Sequence, residues 1–158
     1  MRSIFAACAA AVILTVGSVP AGAQASLDRL VSRVNGVAIT ASDVSQARAL
    51  KLVSDTSSDA ACQRDLENRI LILSEVSRGA ALDPIDDAAV AAHRRSWEAS
   101  LGGPADQLMA KSDMSERALQ TWLRDDLRIR AFVQRQFGDR SAAMTDWVKR
   151  LRERAGLR

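Results

Sequence analysis

The chain has 158 residues, 47% of them apolar and 26% charged, with a formal net charge of +3 and no tyrosine. That length fits one ordinary domain, and so much apolar content beside the charge excludes an intrinsically disordered chain. The net charge is too small to point to a particular class of partner.

The N-terminus reads first as a targeting segment. Arg2 precedes an uncharged run from Ile4 to Val16, followed by small residues and Ala21-Gly22-Ala23-Gln24-Ala25. A basic start, an apolar stretch of this length and an A-x-A site describe a secretory signal peptide over residues 1–25. The run is shorter than the roughly 20 apolar residues that span a bilayer. Either A-x-A match can serve as the cleavage site, and we place the cut after Ala25. Removing 25 residues from 158 leaves an exported chain of 133. Cys8 departs with the signal peptide, and its apolar run follows it instead of preceding it, which argues against a lipoprotein site. Cys62 is left alone, so the fold rests on its core and not on a disulfide. The remaining 37 large apolar residues, at roughly 1.5–3 kcal/mol for each one fully buried, suit one modest domain and would starve two.

Leu30 to Ile39 holds the strand signal. Asn35-Gly36 between apolar runs favours a two-residue turn, because both central positions need positive φ, so a small hairpin is predicted. Thr40-Ala41-Ser42-Asp43 follows as a capping box, opening a helix from Ala41 to Val53. From Ala60 to Gly79, Leu66, Ile70, Leu73 and Val76 recur at helical spacing, and Leu71 and Ile72 widen the stripe, so this should be the most buried helix. In Asp83-Pro84-Ile85-Asp86, Asp83 reads as the cap of an alanine-rich helix over 84–100, which closes at Gly102-Gly103-Pro104. A short helix over 104–111 leads to Asp113-Met114-Ser115-Glu116, the start of a long helix over 114–137. Last comes a basic helix with Met144, Trp147, Val148, Leu151 and Ala155 on one stripe. Trp97, Trp122 and Trp147 are each 25 residues apart, but their contexts differ and no repeat is inferred.

Catalysis needs a base, a nucleophile or several ligands in one place. His93, the one histidine, reads as a helix-surface or half-buried residue. Cys62 opens a helix, where the dipole lowers a thiol pKa, but without a second thiol it reads as buried or idle. Asp86-Asp87 and Asp125-Asp126 are adjacent pairs that face different ways on a helix, and they read as caps and solvated face. No enzyme, metal or other cofactor is expected. Residues 26–140 carry 16 basic and 17 acidic side chains, and residues 141–158 carry five and two. The basic helix 141–158 is read as docking on its own domain. Contact with a membrane surface is the lesser alternative, and export argues against nucleic acid.

Asp28 to Val44, with its VNG-x-x-I-T-x-S-D pattern, resembles the opening of the SurA family of periplasmic chaperones, whose members begin with such a hairpin-to-helix element after the signal peptide. Leu66-Glu67-Asn68-Arg69-Ile70-Leu71-Ile72-Leu73-Ser74-Glu75 is similar to the family's next helix. Arg78-Gly79-Ala80-Ala81-Leu82-Asp83 resembles its turn into an acid-capped helix, and Leu119 to Phe137 its long helix. Trp147 to Ala155 resembles the C-terminal helix of short relatives, which packs back on the N-terminal module. The family commonly carries parvulin-type prolyl isomerase modules, for which this chain has no room, so no isomerase activity is expected.

The resemblance implies an all-α fold of five to six helices with a small N-terminal hairpin, like the SurA N-terminal domain. It also implies a helical peptide-binding domain over 26–140, closed by the amphipathic helix 141–158. The function it implies is non-catalytic holding of unfolded or extended segments of exported, outer-membrane proteins. An accessory subunit docking one specific envelope partner is the alternative. Trp97, Met109, Met114, Leu119 and Trp122 are the candidate peptide-binding residues, because methionine and tryptophan adapt to varied ligands.

Overall fold

The structure, a computed structural model, describes residues 28–79 and 84–157. The expected signal peptide and the expected cap Asp83 lie outside them. The described chain is mostly helical, with one two-stranded antiparallel hairpin.

Strands β1 (Leu30–Val34) and β2 (Val37–Thr40) are joined by Asn35 and Gly36, whose φ values of 49° and 85° place both in the left-handed region. That is the geometry whose twist matches a tight hairpin. The Asn35 side chain donates to Ser74 Oγ at 3.1 Å, pinning the turn to the helix behind it. Val34 faces Val37, Arg33 faces Ala38 and Ser32 faces Ile39, but Leu30 faces Thr40, so Val31 is an extra residue that bulges β1.

Helix α1 (Ala41–Ala49) starts in the capping box read from the sequence. The Asp43 N–H donates to Thr40 Oγ1 at 3.3 Å, and Asp43 Oδ2 accepts the Thr40 N–H at 2.8 Å. The helix stops at Ala49, four residues short of the predicted Val53. Lys51 turns left-handed at φ 48°, and the Leu52 N–H returns to the Ala47 carbonyl at 2.9 Å. This is a Schellman stop with lysine where glycine is usual. Helix α2 (Asp59–Arg78) is capped by Ser58 and buries Cys62, Leu66, Glu67, Leu71, Ile72 and Val76.

Helix α3 (Asp87–Ser100) begins later than the predicted residue 84, because Asp86 is its cap and accepts the Ala89 N–H at 2.6 Å. Helix α4 (Ala105–Lys111) ends at a left-handed Asp113, φ 54°, with the Met114 N–H bonded to the Met109 carbonyl. Asp113 therefore closes α4 instead of opening the long helix. Helix α5 (Glu116–Phe137) is capped by Ser115, whose Oγ accepts the Ala118 N–H.

Helix α6 (Ser141–Arg154) lies against α2 and α5. Its Leu151 enters the core, Trp147 packs on Phe132 and Phe137, and Arg152 reaches the buried Glu67 at 3.0 Å. No described helix is long and apolar enough to cross a membrane.

The core has two parts. Val34, Ile39, Val44, Leu66, Ile72 and Leu151 belong to one cluster, built by the hairpin with α1, α2 and α6. Leu50, Val90, Trp97, Met109, Leu119 and Leu123 make the other, built mainly by α3, α4 and α5. Leu52 packs against both.

Candidate functional site

A groove of about 590 Å³ is bounded by β2, α1, α2 and the start of α5. Its apolar lining includes Ala47 from α1, Leu66, Ile70 and Leu73 from α2, and Met114 and Trp122 on the far side. Val37, Ala38 and Ile39 all border it. Successive strand side chains point to opposite faces, and the Ile39 side chain is buried in the core, so β2 meets the groove edge-on.

Trp122 is held by Arg69, which borders the groove with it. The Arg69 guanidinium carbon lies 3.8 Å from the centroid of the Trp122 ring, and Nη2 donates to the Trp122 carbonyl at 2.7 Å. Nη1 pairs with Asp126 Oδ1 at 3.3 Å. The other oxygen of Asp126 meets His93 Nε2 and Arg130 Nε, each at 2.8 Å. Burial lowers the Arg69 pKa, and Asp126 and Asp125 oppose that shift, so Arg69 remains a cation. One carboxylate thus ties α2, α3 and α5 together behind the groove wall. The sequence reading of Asp126 as solvated face is corrected here: its side chain is only 23% exposed. Arg130 is a local i,i+4 partner, but Arg69 and His93 lie 57 and 33 residues away in sequence, beyond what local spacing reveals. His93 is half-buried and spends its Nε2 on Asp126.

The five expected binding residues divide. Trp97, Met109 and Leu119 are buried in the second cluster, and the Trp97 indole N–H donates to the Leu50 carbonyl at 2.8 Å. Met114 and Trp122 border the groove. The sequence missed Ile70 and Leu73 as groove residues because their helical stripe reads equally well as core.

Other reactive groups are spoken for. Cys62 is fully buried with its thiol directed at the Val44 carbonyl, 3.4 Å away. Burial, then Asp65 and Asp59, push its pKa up, opposite to activation by a helix dipole. Asp86 caps α3, and Asp87 pairs with Arg124. Among the described residues no group of three or more His, Cys, Asp or Glu is placed to hold a metal ion. What the site offers is apolar surface, a stacked indole and a strand edge, which suit binding.

No family model, curated protein or solved structure matches the chain.

Proposed function

We propose that this protein is a non-catalytic, chaperone-like module of the periplasm that holds extended or unfolded segments of exported proteins, outer-membrane proteins among them. The observation that carries the reading is the open groove between β2 and α5, with Trp122 fixed on its wall by Arg69. Its volume of about 590 Å³ falls within the range of sites that take ligands through apolar contact. The likeness of residues 28–140 to the SurA N-terminal domain supports the same function, and the signal-peptide pattern supports the compartment. Met114 and Trp122 are the proposed client-contacting residues from the original five.

The test is dilution of a urea-unfolded outer-membrane protein into buffer with an equimolar amount of residues 26–158, followed by light scattering. Slowed aggregation that is lost in a Met114→Ala, Trp122→Ala double variant supports the reading. Aggregation unaffected by the wild-type protein sinks it.

A second reading, an accessory subunit docking one envelope partner, draws on Leu30 and Val37, which are 53% and 51% exposed on the hairpin. One stoichiometric partner in a pull-down from envelope extract favours that reading. A spread of unfolded clients favours the chaperone.

A further inference from the structure

The two edges of the hairpin are not alike. Folded proteins protect strand edges against unwanted pairing with bulges, charges or proline. β1 has two of these devices, the bulge at Val31 and the charge of Arg33. β2 reads Val37-Ala38-Ile39-Thr40, with no charge, proline or bulge, and it is the strand that borders the groove.

The register fixes what that edge presents. Val34 and Val37 flank a two-residue turn and so form a hydrogen-bonded pair. Antiparallel ladders alternate, which makes Arg33 and Ala38 a non-hydrogen-bonded pair and Ser32 and Ile39 a hydrogen-bonded one. The N–H and C=O of Ala38 therefore point away from β1. No backbone or side-chain group among the described residues bonds to them. Two residues further on, the Thr40 N–H is taken by Asp43.

An unpaired donor and acceptor on one extended residue are complementary to another extended backbone. The surroundings narrow the choice further. Of the four charged residues bordering the groove, Asp43 is hydrogen-bonded by Thr40, Arg69 is paired with Asp126 and Asp125 with Arg128. The side chain of the exposed Arg117 alone has no such partner among the described residues, so three of the four charges are already satisfied within the fold.

We propose that a client segment binds as a third strand on the outer edge of β2, exchanging both backbone hydrogen bonds with Ala38 and directing alternate apolar side chains toward Leu66, Ile70 and Trp122. The ligand class is an extended, uncharged segment of alternating apolar and polar residues. Membrane-spanning strands of outer-membrane barrels have that pattern. This inference rests on the polypeptide-holding function proposed above and specifies how the groove is used.

The test measures fluorescence anisotropy of a fluorescein-labelled eight-residue peptide alternating Leu or Phe with Thr, titrated with residues 26–158. Ala38→Pro removes the outward N–H and leaves the β1 ladder intact, because that N–H does not face β1, and a proline is tolerated at such an edge position. Ala38→Val keeps the N–H and serves as control. Ala38→Pro is expected to weaken binding about tenfold, the effect of roughly 1.4 kcal/mol, and Ala38→Val less than threefold. Peptides N-methylated at successive residues should lose affinity where the methyl falls on the one N–H that meets the Ala38 carbonyl and keep it at the neighbouring residues, a readout that does not depend on how well Ala38→Pro folds.

Equal binding by Ala38→Pro and wild type, with a flat N-methyl series, overturns the strand-addition mode. If the wild-type protein still slows client aggregation, the holding function survives that result. No peptide binding and no effect on aggregation sink both. A dimer of the free protein that Ala38→Pro dissolves assigns the edge to a second copy and overturns the client assignment.

Discussion

Arg69 lies over the ring of Trp122 at 3.8 Å and donates to the carbonyl of the same residue at 2.7 Å. One cation from α2 therefore fixes both the side chain and the backbone of a residue on α5. Its own side chain is only 10% exposed, so it depends on Asp126 for a counter-charge. Breaking a buried ion pair from one side leaves the other charge uncompensated. Asp126→Ala should cost about 2–4 kcal/mol, below the full range for a buried pair because Asp126 keeps some solvent. Arg130→Ala, on the same carboxylate but with a side chain 66% exposed, should cost less than about 1 kcal/mol. Urea denaturation of the two variants checks the contrast.

The candidate binding residues should separate by phenotype. Leu119→Ala, in the second cluster, is expected to destabilise by about 2–5 kcal/mol. Trp97→Phe, which leaves the Leu50 carbonyl unpaired, should cost about 1–3 kcal/mol. Met114→Ala, at the groove, should cost roughly 1 kcal/mol or less, since a half-exposed side chain has less transfer energy to lose. Yet only Met114→Ala should impair aggregation suppression at a temperature where all three remain folded. Thermal melts and light scattering on the same samples give both readings.

That division shows where the sequence stops being informative. The hairpin was legible because Asn35-Gly36 has few other uses, and the helices because their apolar spacing and caps agree. An apolar residue type, however, does not say whether its side chain meets a core or an open groove, and Trp97 and Trp122 look alike on that score. Helix ends were legible where the signal is chemical, as at Thr40. They were hidden where Lys51 and Asp113 take a left-handed conformation usually left to glycine. The Arg69–Asp126–His93 cluster could not be read from spacing, because each member sits on a different helix.

Asp113 offers a direct check on that reading. At φ 54° a β-carbon is strained, and the side chain makes no hydrogen bond among the described residues. Asp113→Gly should stabilise by about 0.5 kcal/mol, the relief of strain being partly offset by greater freedom in the unfolded chain. A higher urea midpoint with an unchanged slope would bear this out.

The docking of α6 should depend on pH through Glu67. Burial works to raise its pKa, but hydrogen bonds from Gln63, Ser32 and Arg152, with the charge of Arg152, outweigh burial and leave it below its ordinary 4.5. A carboxylate depressed on folding contributes stability above its unfolded pKa, and that contribution is lost as pH falls through the folded value. Wild-type stability should therefore decline as pH drops below 4.5. Glu67→Gln should start lower at pH 7 and fall less steeply. Asp28 and Asp55, also lowered by hydrogen bonds led by those from Thr40 and Ser57, contribute to both curves. The difference between the curves isolates Glu67.

The most direct measurement is site-specific photo-crosslinking of residues 26–158 to a urea-unfolded outer-membrane protein on dilution. A benzophenone side chain replaces Thr121 or Arg117, both bordering the groove, or Arg135, exposed near the other end of α5. Adducts are expected from Thr121 and Arg117 and not from Arg135. Equal adducts from all three positions, or none from Thr121 and Arg117, would contradict the groove as the place where an extended polypeptide is held.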